Sequence, residues 1–586
     1  MRNKGLLIAA SGLALAIPAL AQQAQPPATQ PPAQAPIANT IAPATEPAPS
    51  TSSASTGPSE STVEVVSNLV VVEQAPAVEY PSWARRDPAS AGALDPADIG
   101  LGPVPWGAAN GAFLSTLMRR MDTPIVSRWA HIALRNALLA TAPPPRLVNP
   151  VDWTAERAWL LLRMGEADAA RLLVAAVDTD RFTPKMVQVA VQSALANADP
   201  PALCPLEGAM RRYEPGVRPM VTAMCSSLAG EPQIASAQID DARRYGRIGG
   251  IDLALAEKVV GAGSNTGNST TIEWEPVNDL NAWRFGLATA TGLAVPDRLL
   301  TKSSPQLRAF QARAALLEPA ERLESAFIAT GLGVFSSQSM IDLYSAIYDS
   351  TDPSDLPESD AWQLRLAFVG KDRDAKLDAI RYFLAMEGDD LKKEGARAVV
   401  ARAATRIVPD DELEKDAPGL ISAMLAAGYD RQAARWLKVV GGMSDEAEDR
   451  CWAMLALAAP DGLDAGVSVR RINAFIGRDK SDGKQRSALL VAGLAGLGRI
   501  SQNQANSINR SNGLGLGRTT SWSRMIDAAA GRRQPATVLL LAGTGFQASN
   551  WQNSSAAHLY HVITGLKRTG QEYTARMIAA EALSRT

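Results

Sequence analysis

Residues 424–440 read MLAAGYDRQAARWLKVV, and the fold is decided there. An apolar Met424 is followed four residues on by Gly428, and five further on by Ala433. A Gly at that point ends one helix in a left-handed turn. The small Ala then lets a second helix pack back against the first. The same spacing, apolar-x3-Gly-x4-Ala, recurs in LLRMGEADAARLLVAAV at 161–177, with Gly165 and Ala170, and in LKRTGQEYTARMIAAEAL at 566–583, with Gly570 and Ala575. Three hairpins of one design predict a chain built by stacking helical pairs.

Outward from these windows, amphipathic stretches joined by Gly or Pro continue almost without a break. Helices are expected at 306–317, 320–331, 339–348, 374–386, 391–407, 412–427 and 431–440. Ser444-Asp445-Glu446 opens the helix carrying Trp452, with acidic residues in its first turn. Pro353 and Pro357 separate neighbouring helices. The reading is an all-α, irregular α-solenoid.

The start of the chain differs. Residues 1–21 carry Arg2 and Lys4, a short apolar run and Ala19-Leu20-Ala21, the pattern of a cleaved secretory signal. Export to the periplasm is expected, with no stable membrane insertion after cleavage. Residues 22–61 are rich in Pro, Ala, Gln, Ser and Thr and lack the apolar side chains a core needs, so a disordered linker is expected. Residues 62–80 begin with the β-branched run TVEVVSNLVVVEQ, a short β-like segment open to pairing with a partner. A helical region at 81–260 is then divided by a polar linker at 261–272, containing GAGSNTGNSTT, from a larger one at 273–586. A second flexible loop is expected at 501–520, ending in GLGLGRTT.

Formal net charge is −2, and charges of both signs are read as mixed along the chain, with no basic block beyond pairs such as Arg243-Arg244 and Arg532-Arg533. Nucleic acid is therefore not an expected partner. Of three cysteines, Cys204 and Cys225 flank CPLEGAMRRYEPGVRPMVTAMC, whose turn at Glu214-Pro215-Gly216 brings its ends together. A disulfide is expected between them in an oxidising compartment, and Cys451 is expected to be a buried thiol.

The Gly-Ala windows resemble the tetratricopeptide repeat family, most closely across Gly428-Tyr429-Asp430-Arg431-Gln432-Ala433. The windows are irregularly spaced, so the resemblance is to an irregular array. It implies stacked hairpins whose curved face binds another protein or a peptide. A second resemblance is shorter. Glu324-Ser325-Ala326-Phe327 is similar to the Glu-Ser-x-Phe start of lytic transglycosylase domains, in which the Glu is the general acid. The Gly-Leu-Met-Gln pattern that follows in that family is missing; Gly331-Leu332-Gly333-Val334 stands instead.

Few residues suit other chemistry. The histidines are His131, His558 and His561; the last two share a helix face without further metal ligands. Gly543-Thr544-Gly545 imitates a dinucleotide-binding turn, but no acidic residue on a second strand follows, and a helix-to-helix turn is expected. Trp83, Trp106, Trp129, Trp153 and Trp159 either pack between helices or line a groove. No cofactor is expected. The expected function is an exported, non-enzymatic scaffold for a protein or peptide of the cell envelope, with contacts at 261–271 and 501–520. The alternatives are a peptidoglycan-acting enzyme using Glu324 and a purely structural envelope protein.

Overall fold

A computed structural model describes residues 81–586, apart from 214, 266–269 and 549. The expected signal at 1–21, linker at 22–61 and β-like segment at 62–80 lie outside these residues. The described residues are all-α, with no strand and two isolated bridges, Leu94 to Ala140 and Asn110 to Arg146. Consecutive helices pair as antiparallel hairpins and the hairpins stack. Pro150–Arg163 packs on Ala167–Ala175, Arg218–Leu228 on Pro232–Tyr245, and Ala556–Arg568 on Glu572–Ser584.

The turns explain the stacking. Gly165, Gly428 and Gly570 have φ of 88°, 84° and 83°, a left-handed conformation that Gly adopts without steric cost. The residue after each Gly donates its amide back across the turn: Glu166 to Leu161 O at 2.9 Å, Tyr429 to Met424 O at 2.9 Å, and Gln571 to Leu566 O at 2.8 Å. These bonds satisfy carbonyls that the helix end would leave open. Ala170, Ala433 and Ala575 are each 0% exposed, in the contact between the two helices of the pair.

Two further turns combine the same bond with a helix that starts two residues on. Glu231 donates to Ser226 O at 2.9 Å across Gly230, and Gln534 donates to Ala529 O at 3.1 Å across Arg533. Gly230 and Arg533 have φ of 82° and 55°, and the buried residues five positions on are Ala235 and Val538. The spacing is unchanged, but Ser226 breaks the apolar rule in one copy, and Arg533 and Val538 break the Gly and Ala rules in the other.

Elsewhere two glycines let backbones touch. A Cβ on Gly331 would meet Leu391 O at 2.1 Å, and one on Gly395 would meet Phe327 O at 2.3 Å. Helices Pro319–Leu332 and Asp390–Ala404 are thus in reciprocal backbone contact, closer than any larger side chain permits.

Helix Arg128–Leu139 joins the two ends of the stack. It packs on Pro150–Arg163, which follows it, and also on Pro319–Leu332, Pro535–Gly545 and Glu572–Ser584. Arg128 is 4% exposed. Its guanidinium donates to Thr330 O at 2.8 Å and Ala426 O at 2.5 Å, so one cation caps the C-terminal ends of two helices. Around it lie Glu394, Glu581 and Arg585, all buried. Burial pushes the Glu581 carboxyl up from its ordinary value, with Arg585 opposing. At Glu394 burial acts in the same sense, but Arg397, Arg585 and Arg128 outweigh it and hold the carboxyl low.

The structure differs from expectation in several places, and the helix expected at 306–317 ends at Ala312. The helix expected at 431–440 is a single turn, Asp430–Ala433, followed by 3-10 turns at Ala434–Lys438 and Val440–Gly442. The helix expected at 412–427 runs Ala417–Ala426, with Pro418 in its first turn. The loop expected at 501–520 is mostly helix, Gln502–Asn512. Ser501 and Gln504 close a capping box at its start, and Gly513 ends it at φ 65°.

Candidate interaction surfaces

Most residues singled out by sequence serve packing. Cys204 and Cys225 form the disulfide, with a Cα separation of 5.6 Å, and tie the segment Pro200–Leu206 to helix Arg218–Leu228. Both sulfurs belong to partly exposed residues. Cys451 is free and 0% exposed, and burial pushes its thiol up to about 12. A thiol at that value is not a nucleophile near neutral pH.

His558 and His561 diverge. His558 packs its ring 4.9 Å from Phe546 and contacts Ala542 O at 3.3 Å; burial lowers it to about 4. His561 Nδ1 lies 3.0 Å from Asp527. No group of three or more His, Cys, Asp or Glu among the described residues is placed to hold a metal. Gly543 and Gly545 lie in the last turn of helix Pro535–Gly545, a correction to the expected interhelical turn. A Cβ on Gly545 would meet the His558 ring at 2.2 Å, so this Gly makes room for the histidine.

Glu324 lies on the surface of helix Pro319–Leu332, where its carboxylate meets Lys392 at 2.9 Å and Arg308 at 3.7 Å. Its side chain is 58% exposed. Trp106 and Trp153 are buried edge to face, with centroids 5.1 Å apart. Trp129 packs on Tyr573 at 5.7 Å, while Trp83 is 85% exposed.

An opening lies beside the polar break at 261–272. It is a groove of about 570 Å³ formed by the start of helix Ile251–Gly263 and the irregular segment before Ala282–Ala290. Gly249 and Gly250 form an open lip; neither would meet anything within 4 Å if it carried a Cβ. Ile251, Pro276 and Val277 supply apolar surface, and Asp252, Glu273 and Asp279 supply negative charge. Arg284 crosses the groove and donates to both oxygens of Asp252 at 2.9 Å, which raises its pKa from the ordinary value. Helices Ile251–Gly263 and Ala282–Ala290 pack on each other beneath it, so the groove has a rigid floor.

The charge distribution departs from an even mixture. Residues 483–571 contain ten Lys and Arg and one carboxylate, Asp527. That balance of +9 is hidden by the −2 of the whole chain, which summed charge alone does not reveal. The region includes the helix found in place of the expected 501–520 loop.

No helix among the described residues is long and apolar enough to cross a membrane. No family model, curated protein or solved structure matches this chain.

Proposed function

We propose that this protein is an exported, tetratricopeptide-like scaffold that binds a protein or peptide partner in the periplasm and does no chemistry itself. The observation that carries this reading is the repetition, at Gly165, Gly230, Gly428, Arg533 and Gly570, of a turn from which a new helix starts two residues on. Repeated hairpins of this kind present extended surface on a rigid frame, which suits recognition. The Cys204–Cys225 disulfide agrees with an oxidising location. The groove beside Asp252 and Val277, lined by both apolar and acidic residues, suits a polypeptide carrying Lys or Arg among apolar residues.

The test is crosslinking of the protein in intact cells, followed by isolation and mass spectrometry. A reproducible protein partner, reduced in yield by Glu273→Arg with Asp279→Arg, supports the reading. Recovery of the same partner with the double variant moves the contact elsewhere. Recovery of no protein partner overturns the scaffold.

A further inference from the structure

We infer that the exposed face of helices Gln502–Asn512, Ser521–Gly531 and Ala556–Arg568 binds an acidic polysaccharide. This surface is separate from the groove at Asp252 and stands whether or not that groove holds a peptide.

Charge comes first. None of the ten cations between residues 483 and 571 makes an ion pair among the described residues. Four have structural work. Lys484, Arg486 and Lys567 donate to Ile476 O, Thr586 O and Leu497 O, and Arg499 donates to Ala456 O and Ala459 O. The other six are exposed: Arg510, Arg518, Arg524, Arg532, Arg533 and Arg568. Surface arginines usually find a carboxylate nearby, and this set has only Asp527, which faces His561. The uncompensated charge calls for an anionic partner.

Geometry gathers Arg524, Arg532, Arg533 and Arg568 along one pair of helices. Helices Ser521–Gly531 and Ala556–Arg568 run side by side in one direction. Asp527 meets His561, and the Cβ position of Gly531 lies 3.7 Å from a terminal nitrogen of Arg568. Arg568 therefore joins Arg532 and Arg533 at one end. Arg524 lies eight residues before Arg532, roughly 12 Å along the helix. Between them the exposed positions are small, Ala528 and Gly531. Arg510 and Arg518 are drawn toward each other just before helix Ser521–Gly531, because the loop folds back and Leu516 donates to Asn509 Oδ1 at 3.0 Å. Exposed cations at intervals, with small residues between Arg524 and Arg532, suit an extended polymer.

The remaining side chains select the polymer. Helix Gln502–Asn512 exposes Gln502, Asn503, Asn506 and Ser507, and Tyr560 anchors it by donating to Gln502 Oε1 at 2.8 Å. Asn is a poor helix former, so this composition weakens a surface helix that Ala or Lys would strengthen. Amides both donate and accept, the match for sugar hydroxyls. No large hydrophobic residue is among the exposed ones from 483 to 571. Membrane insertion and base stacking both use exposed aromatic or aliphatic side chains.

The experiment measures binding of fluorescein-labelled polygalacturonate to the full chain by anisotropy. Dextran, poly-glutamate, single-stranded DNA and vesicles containing anionic lipid serve as comparisons. We expect polygalacturonate to bind, to weaken as salt rises, and to bind roughly tenfold less tightly to R510Q/R518Q/R524Q. A second variant, N503A/N506A/S507A, should weaken the polysaccharide and leave poly-glutamate unchanged. Circular dichroism checks that both variants fold. The inference falls if polygalacturonate does not bind, or binds the arginine variant as well as the wild type. It also falls if the amide variant has no effect, or if poly-glutamate, DNA or vesicles bind as tightly as the polysaccharide.

Discussion

Ser127 Oγ donates to Glu581 Oε2 at 2.6 Å, across 454 positions of sequence. Glu581 Oε1 also accepts from the Arg128 amide at 2.8 Å and from Arg585 at 2.6 Å. One buried carboxylate thus holds the start of helix Arg128–Leu139 against helix Glu572–Ser584. In an open array each hairpin touches only its neighbours. Here the first hairpins and the last share a core.

Glu581→Ala should therefore be costly. It leaves Ser127, the Arg128 amide and Arg585 buried without their acceptor, for an expected loss of about 3 to 5 kcal/mol. Urea denaturation followed by circular dichroism measures it. A loss below about 1 kcal/mol would show that apolar packing alone joins the two ends.

Two turn glycines with nearly equal φ should respond differently to Ala. At Gly570 a Cβ meets nothing within 4 Å, so Gly570→Ala costs only the left-handed strain, about 1 to 2 kcal/mol. At Gly428 the Cβ would lie 2.4 Å from the Tyr573 hydroxyl and 3.0 Å from Trp129. Gly428→Ala should cost clearly more and change the near-ultraviolet signal of Trp129. Equal losses in the two variants would mean that Tyr573 moves aside freely.

Stability should fall with acid because of His558. Its folded value is about 4 against an ordinary 6.5, so the unfolded chain binds the proton first. The stabilisation is complete above about 6.5 and is lost as pH falls toward about 4. The difference corresponds to roughly 3 kcal/mol at most. His558→Gln should flatten the stability profile over that window. An unchanged slope would place the acid sensitivity in other groups.

The thiols can be counted directly. Native protein should show no reactive thiol, and denatured, unreduced protein should show one, from Cys451. Reduction should cost roughly 3 kcal/mol for a loop of this length, felt in the helices around Arg218–Leu228. A second thiol in the denatured, unreduced state would contradict the pairing of Cys204 with Cys225.

How much was legible follows from where the information lies. The turns at Gly165, Gly428 and Gly570 were readable because both the Gly and the Ala answer to local geometry. Gly230 and Arg533 escaped because hydrogen bonding fixes the turn even when Ser226 replaces an apolar residue or Arg replaces Gly. The helix at Gln502–Asn512 was masked by its amides, although Ser501 and Gln504 carried its capping signal. The bond between Ser127 and Glu581 leaves no local trace at all. The candidate surfaces were legible only as positions. The groove depends on Asp252 meeting Arg284, and the basic surface on Gly531 lying beside Arg568.

The reciprocal contact of Gly331 and Gly395 has a bearing on evolution. Each position accepts no side chain unless the other helix retreats, so the pair can change only together or not at all. Helices Pro319–Leu332 and Asp390–Ala404 therefore form a seam that resists substitution from both sides, while exposed surfaces stay free to diversify. A lineage of this chain could alter its ligands many times and still carry two glycines at that crossing.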